Sequence, residues 1–365
     1  MKILCALALL AAVSTQAATA SEPVQRKDSS VIGADGTAYV TRVVPIPRTI
    51  SPQAQASLAR PIPDAETTPS IAEQRREVDA WQAGAAKAFE KLYPVKVEQG
   101  VIAGVPVRIV TPPHVPASHR DDVLLNVHGG GFVVDSGSLT ESIPMASLTQ
   151  TRVVSVLYPL APEHPFPAAL DAAIAVYRAL LKTCPPDHIV IYGTSAGAIL
   201  TGEIAVALKQ RHLPEPAALG IFSGLGDFSR PGDSASLFAL NGLSGYLAPP
   251  VPGARMSPEY VGRTDPRDPV LSPVFADLRG LPPTLFISST RDMLLSGTTI
   301  LDRAFLHAGV DTRLIVFEAL PHTFWNDPDL PESTEAHHAM ADFFSAHLYG
   351  AASQRGSAVP RSGQR

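Results

Sequence analysis

The sequence predicts an α/β fold, a mostly parallel central sheet with helices on both faces, and three observations carry that prediction. Between Val123 and Leu348, short apolar runs rich in Val, Ile and Phe alternate with longer segments of helical period, the pattern of a parallel sheet buried on both sides. Two glycine-rich turns, His128-Gly129-Gly130-Gly131 and Gly193-Thr194-Ser195-Ala196-Gly197, sit where such runs end, and open α/β sheets bind their ligands at the carboxyl ends of strands. The chain has 365 residues, 45% hydrophobic and 17% charged, enough for one large core with or without a small subdomain.

Residues 1–20 read as a processing signal and not as part of the fold. Lys2 gives a short positive start, Ile3 to Val13 is apolar, and Ala18-Thr19-Ala20 is a small-x-small cleavage site. The mature chain is then expected to begin at Ser21 and to be periplasmic or secreted, with a retained N-terminal anchor as the alternative. No later stretch reaches the roughly 18 to 20 apolar residues that a transmembrane helix needs, so no stable membrane anchor is expected. Cys5 leaves with the signal and Cys184 remains alone, which excludes an intrachain disulfide. Cys184 follows a helical pattern and precedes Pro185-Pro186, a place for a structural thiol.

Residues 21–70 read as an extended N-terminal arm, because Pro45, Pro47, Pro52, Pro61, Pro63 and Pro69 break any long helix. A helix is predicted over Ile71 to Leu92, then strands at Val95 to Glu98 and Val105 to Val110 around Gly100 and Gly104. The alternation follows: strand Val123 to Val127, helix near Ser138 to Thr149, strand Val153 to Tyr158, helix Ala168 to Lys182, strand Ile189 to Tyr192, helix Ala196 to Gln210, strand Ala218 to Phe222. Residues 224–275 break the rhythm with Gly, Pro, Ser and Asp, and carry helix-like islands at Ser234 to Leu240 and Pro258 to Val261. They read as an insertion over the sheet. Strand Thr284 to Ser288, helix Met293 to His307, strand Thr312 to Phe317 and helix Thr334 to Leu348 complete the alternation, and 351–365 reads as a flexible, basic tail.

The formal net charge is -5, with acids and bases mixed along the chain. Neither a nucleic-acid footprint nor a polybasic membrane patch is present, so a small, mostly uncharged ligand fits better.

Gly193 to Gly197 is a G-x-S-x-G turn between a strand and a helix, where the glycines permit a tight turn that holds the serine hydroxyl at the sheet edge. A serine at its free pKa is a weak nucleophile and needs an imidazole base, which in turn needs a carboxylate to fix its tautomer. Asp292, after the strand Thr284 to Ser288, and His322, after the strand Thr312 to Phe317, follow Ser195 in the order serine, acid, histidine. The intervals of 97 and 30 residues leave room for a strand plus the insertion, then for one helix and one strand, so both would reach the edge that carries Ser195. Asp292 could instead cap a helix starting at Met293, and His322 could be an ordinary loop histidine; Arg291 and Asp327 read as solvated charges. The main-chain amides of Gly130, Gly131 and Ala196 could form an oxyanion hole, with His128 ordering the loop. A plain glycine turn or a phosphate loop is the alternative, but neither G-x-G-x-x-G nor a GK[ST] ending is present.

These signals, with Tyr158-Pro159-Leu160-Ala161-Pro162-Glu163-His164-Pro165-Phe166-Pro167-Ala168-Ala169 between them, resemble the hormone-sensitive-lipase-like group of carboxylesterases, the bacterial family IV esterases, and specifically its GTSAG subgroup. The resemblance runs from about Asp122 to Leu348. It implies an α/β-hydrolase fold over 71–350, with a small helical cap formed by 71–92 and 224–275. It also implies a serine carboxylesterase for short- to medium-chain acyl esters, in which Ser195, Asp292 and His322 are catalytic and an acyl-enzyme forms. No metal or organic cofactor is implied; the partner is a small-molecule ester, with no nucleic acid, and a homodimer is common in the group. An amidase, lactonase or polyester hydrolase could use the same residues, and a non-catalytic ligand-binding protein on the same scaffold is the rival from another class. Two departures stand out. Pro159-Leu160 follows the tyrosine where the group usually has an arginine, so a salt bridge that buttresses that loop is missing or replaced. Ala198 follows the elbow in place of a third glycine, which should narrow the space behind the nucleophile.

Overall fold

The computed structural model describes residues 27–60, 69–244 and 256–356; the expected signal at 1–20 and the end of the tail, 357–365, lie outside the described residues. The chain divides into two compact units, one up to Ile46 and one from Pro47 onward. In the first, β1 (Ser29–Ile32) and β2 (Ala38–Thr41) pair antiparallel, across a turn in which the Asp35 carboxylate accepts the N–H and hydroxyl of Thr37. The second opens with α1 (Pro52–Leu58). The segment expected as an extended arm therefore holds a hairpin and a helix. Pro52 does not break that helix: it occupies the first turn, where no intrahelical donor is lost. Ser51 caps it, and the N–H and hydroxyl of Ser51 both donate to Glu332, at 2.6 and 2.8 Å.

The body is an eight-stranded sheet. Its strands are β3 (Lys96–Ile102), β4 (Val105–Thr111), β5 (Val123–Val127), β6 (Arg152–Val156), β7 (Ile189–Thr194), β8 (Ala218–Phe222), β9 (Thr284–Ser289) and β10 (Thr312–Phe317). In space they run β3-β4-β6-β5-β7-β8-β9-β10. β3 and β4 form an antiparallel hairpin that joins β6 antiparallel, and every other pairing is parallel. The helices are α2 (Ile71–Leu92), α3 (Ser142–Thr149), α4 (Ala168–Leu180), α5 (Ala196–Gln210), the short α6 (Ser234–Leu237) and α7 (Pro258–Val261), α8 (Leu295–His307) and α9 (Pro331–Gly356).

All of β5, β7, β8 and β9 is buried, as their unbroken apolar runs require. Successive residues point to opposite faces and enter separate cores. Leu125, Ile191 and Phe286 pack with Leu170, Tyr177, Ile204 and Phe305 from α4, α5 and α8. Leu124, Val190 and Ile287 pack with Phe89, Met145 and Phe344 from α2, α3 and α9.

Boundaries moved where side chains intervened. Helix α3 begins at Ser142, not near Ser138, because the Asp135 carboxylate takes the N–H and hydroxyl of Ser138 while Gln82 accepts the N–H of Leu139, holding 138–141 in turns. Helix α9 continues past Leu348 into the expected tail and stops at Gly356, since Ala351, Ala352, Gln354 and Arg355 are good helix formers.

On α9, His337 is fully buried edge-on to Phe89 and Tyr93, at ring separations of 5.5 and 6.0 Å. Burial pushes its pKa down to about 3, with His338 adding to the effect. Its unfolded pKa is about 6.5, so between those limits the unfolded chain binds a proton that the folded chain refuses. Stability should fall by up to about 1.4 kcal/mol per pH unit as pH drops through this window. Urea unfolding of His337→Phe at pH 7 and pH 4.5 should show a flatter dependence than the wild type; equal slopes would contradict this.

Candidate active site

The turn between β7 and α5 places Ser195 at φ 56° and ψ -119°, a conformation that costs a non-glycine residue energy and must be held by its surroundings. The Ser195 N–H donates to the Phe222 carbonyl at 2.8 Å, and its own carbonyl accepts from Ile199 at 3.1 Å. The glycines on either side are there for space. A Cβ on Gly193 would lie 2.2 Å from the Val127 carbonyl oxygen, and one on Gly197 would lie 1.9 Å from the same atom.

Strand β10 delivers His322 to this turn. Its Nε2 lies 2.8 Å from Ser195 Oγ, and its Nδ1 lies 2.7 Å from Asp292 Oδ1. Asp292 is fully buried. Its Oδ2 accepts the hydroxyls of Ser223 and Ser288, and its Oδ1 also accepts the Leu294 N–H at 2.8 Å. Burial alone would raise its pKa, but the His322 charge and the hydrogen bonds from His322, Ser223 and Leu294 outweigh it and hold the carboxyl below its ordinary value. Asp292 does not cap a helix from Met293. Helix α8 starts two residues later, after Leu294, and the carboxylate bonds His322 as well as the Leu294 N–H.

The histidine loop is tied to its neighbours. The Ala319 N–H donates to Thr290 Oγ1 at 2.7 Å, the Ser289 hydroxyl donates to the Leu320 carbonyl, and the buried Trp325 indole donates to Thr194 Oγ1 at 3.2 Å. The side chain of Thr194 thus links the elbow to the loop that carries His322.

On the other side of Ser195, Gly130 and Gly131 have φ of 119° and 60°, and Phe132 follows at 67°. The carbonyl of Gly130 accepts from Val133 and Val134, and that of Gly129 accepts from Ser136, so the turn is held through its carbonyls. His128 is buried, stacked on Tyr158 at 4.1 Å. Its Nδ1 lies 2.8 Å from the Gly129 carbonyl and 3.6 Å from Asp135, and the Tyr158 hydroxyl donates to its backbone carbonyl at 2.7 Å.

Arg75 of α2 ties the motif around Tyr158 to the glycine loop. Two of its nitrogens grip Glu163 at 2.8 and 2.7 Å, and its guanidinium also donates to the carbonyls of Val133 and Ala161. The Glu163 carboxyl is held down to about 2, first by its hydrogen bond from Arg75. From the insertion, Tyr260 stacks on Phe132 at 3.4 Å and donates its hydroxyl to Glu203 of α5 at 2.6 Å. Ala198 is fully buried, and its methyl carbon lies 2.8 Å from where a Cβ on Gly224 would stand, so the extra methyl is matched by a glycine opposite.

The sequence-predicted Ser195, Asp292 and His322 are therefore brought together at the carboxyl ends of three strands, with the glycine loop beside them. Ser223, Ser288, Arg75 and Trp325 were missed. The first two carried a signal, a hydroxyl at the end of an otherwise apolar strand; the link from Arg75 across 88 residues carried none. Among the described residues no group of His, Cys, Asp and Glu is arranged to hold a metal ion.

The clash at Gly197 would be with backbone, which cannot swing aside. Gly197→Ala should lower stability by about 2 kcal/mol or more, read as the urea midpoint; an unchanged midpoint would show that the elbow has slack.

A family model described as alpha/beta hydrolase fold matches residues 124–326, more than half of the chain. An acetyl-hydrolase of Streptomyces hygroscopicus is 34% identical over 228 residues, 60% of this chain and 74% of that protein. Among solved structures, the esterase E25 superposes with a TM-score of 0.73 at 31% identity, covering 84% of this chain and 98% of its own. An esterase from the bacterial hormone-sensitive lipase family superposes with a TM-score of 0.68 at 27% identity, covering 82% and 99%. With this fold, these relatives and a serine on a nucleophile elbow, the chain belongs to the α/β-hydrolase fold family and, within it, to the hormone-sensitive-lipase-like carboxylesterases: it is a serine carboxylesterase.

Proposed function

We propose that the enzyme hydrolyses short- to medium-chain acyl esters through an acyl-enzyme on Ser195. The observation that carries this reading is the continuous chain of hydrogen bonds from Ser195 Oγ through His322 to Asp292, at 2.8 and 2.7 Å. In the proposed mechanism His322 Nε2 removes the hydroxyl proton as Ser195 Oγ attacks the ester carbonyl. The tetrahedral oxyanion is held by the N–H groups of Gly130, Gly131 and Ala196. His322 then returns the proton to the departing alcohol, leaving the acyl-enzyme, and activates a water to release the acid. Asp292 stays ionised, holds the proton of His322 on Nδ1 and stabilises the imidazolium as it forms. His128, locked between Tyr158 and the Gly129 carbonyl, orders the oxyanion loop.

Helix α2 and the insertion over 224–275 act in this reading as the cap. Arg75 and Tyr260 seat them against the loop segment that carries Phe132 and Val133. The preference for short acyl groups is supported by the similarity to an acetyl-hydrolase. Export to the periplasm or medium is supported by the leader-like composition of residues 1–20.

Replacing Ser195 by alanine in the purified protein should reduce p-nitrophenyl butyrate turnover by at least about three orders of magnitude, and undiminished turnover would overturn the assignment. Across p-nitrophenyl esters from acetate to laurate, kcat/KM should peak at acetyl to hexanoyl; a maximum at the longest chain would sink the proposed substrate class.

A further inference from the structure

Glu141, at the turn that leads into α3, is a buried acid that the proposed mechanism does not use. The donors on its carboxylate are amides. Asn126 Nδ2 donates to Oε2 at 2.9 Å, and the Gly129 N–H donates to Oε1 at 3.0 Å. Gly129 immediately precedes Gly130 and Gly131, and Thr194 immediately precedes Ser195 and Ala196. A single residue therefore ties the glycine loop, through its carboxylate, to β7, through its backbone carbonyl and the Tyr192 hydroxyl.

The surrounding chain is shaped around this carboxylate. A Cβ on Gly137 would lie 1.8 Å from Glu141 Oε1. A Cβ on Gly129 would lie 3.4 Å from the same oxygen and 2.9 Å from the Thr194 carbonyl, so the two backbone segments touch beside the carboxylate. Glu141 is itself fixed at both ends of its peptide unit: its N–H donates to the Gly137 carbonyl at 2.9 Å, and its carbonyl accepts the Tyr192 hydroxyl from β7 at 3.1 Å. Asn126 is held in turn by the Ser155 hydroxyl at 2.5 Å. Such an arrangement leaves the carboxylate little freedom to follow a displaced loop.

We infer that Glu141 is a positioning residue of the oxyanion hole, whose carboxylate holds the Gly129 N–H where the glycine loop packs on the Thr194 carbonyl and so sets the spacing between the Gly130 and Gly131 amides and the amide of Ala196. Oxyanion donors work only when they stand about 2.7 to 3.1 Å from the developing charge, and a misplacement of about 1 Å can cost roughly 100-fold in rate. Burial raises the Glu141 carboxyl to about 8, and the hydrogen bonds from Asn126 and the Gly129 N–H oppose that rise. The inference rests on the reading of Ser195 as nucleophile and of these three amides as the oxyanion hole.

Glu141→Gln tests it, because the side chain keeps its size while one acceptor oxygen becomes an NH2 group facing N–H donors. In active-site-titrated enzyme, kcat for p-nitrophenyl butyrate should fall roughly 10- to 100-fold with KM within about threefold. Affinity for a trifluoromethyl ketone, which adds to Ser195 as a tetrahedral oxyanion, should fall in step with kcat/KM. The acidic limb of the pH profile should stay in place, since His322 is untouched. A buried acid with only a structural role would lower the melting temperature and leave these kinetic readouts alone, and that outcome overturns the inference. Where Glu141→Gln does not accumulate folded, Glu141→Asp, which retracts the carboxylate, should show the same kinetic pattern, and wild-type kcat in it would equally refute the inference. Failure of Ser195→Ala to abolish turnover would overthrow the underlying reading instead, so the two failures are distinguishable.

Discussion

The carbonyl oxygen of Val127, at the end of β5, is the surface on which the elbow closes. Both flanking glycines of the serine turn approach it more nearly than any side chain would allow, and that contact presses the turn from β7 into α5 against the strand beside it. The positive φ of Ser195 follows from the same closure, since the chain must reverse from strand to helix within one residue. Packing on both faces over-determines the turn: β5 and β7 are wholly buried, and so is α5 up to Leu208. Strain of order 1 to 3 kcal/mol can persist at such a residue because the surrounding core leaves it no alternative.

The acid end of the hydrogen-bonded chain shows how a charge is kept in an apolar interior. Asp292 has lost its water, and an uncompensated carboxylate there would be protonated. Two serine hydroxyls from the ends of β8 and β9, one backbone N–H and the His322 ring surround it. Both carboxylate oxygens are thereby engaged, the group stays ionised, and the imidazole is held in one orientation. Glu203 is the counter-case. Its burial raises its pKa, with the Tyr260 hydroxyl opposing, and through that hydroxyl it anchors the insertion.

Support for the glycine loop comes from outside the sheet. Arg75 and Gln82 lie seven residues apart on one face of α2. The first reaches the carbonyls of Val133 and Ala161 and the carboxylate of Glu163, and the second reaches Asp135, Ser138 and Leu139. Phe89, seven residues further on, continues that face into the core. A helix of mixed composition is thus amphipathic in an unusual sense, since the inward face carries Arg75 and Gln82, whose polar groups bond loop backbone, ahead of the buried Ala86 and Phe89. The arginine that grips the motif around Tyr158 thus comes from this helix, far from it in sequence.

Periodicity and turn chemistry made much of this protein legible before any contact was known. The bounds of α2, α5, β5, β8 and β10 follow from runs of apolar residues and the breakers beside them, since strand and helix formation are largely local choices. The order of Ser195, Asp292 and His322 was legible because each lies just after an apolar strand, and parallel strands deliver their ends to one edge. The described arm over 27–60 was not, because proline counts say where helices cannot continue and not where one can begin, as Pro52 shows. Tertiary structure alone decided that Asp292 engages His322, that Arg75 of α2 grips Glu163, and that Glu141 holds the Gly129 N–H. Each of these is a hydrogen bond between groups far apart along the chain, formed only once the core has brought their backbones together, and no local propensity encodes it.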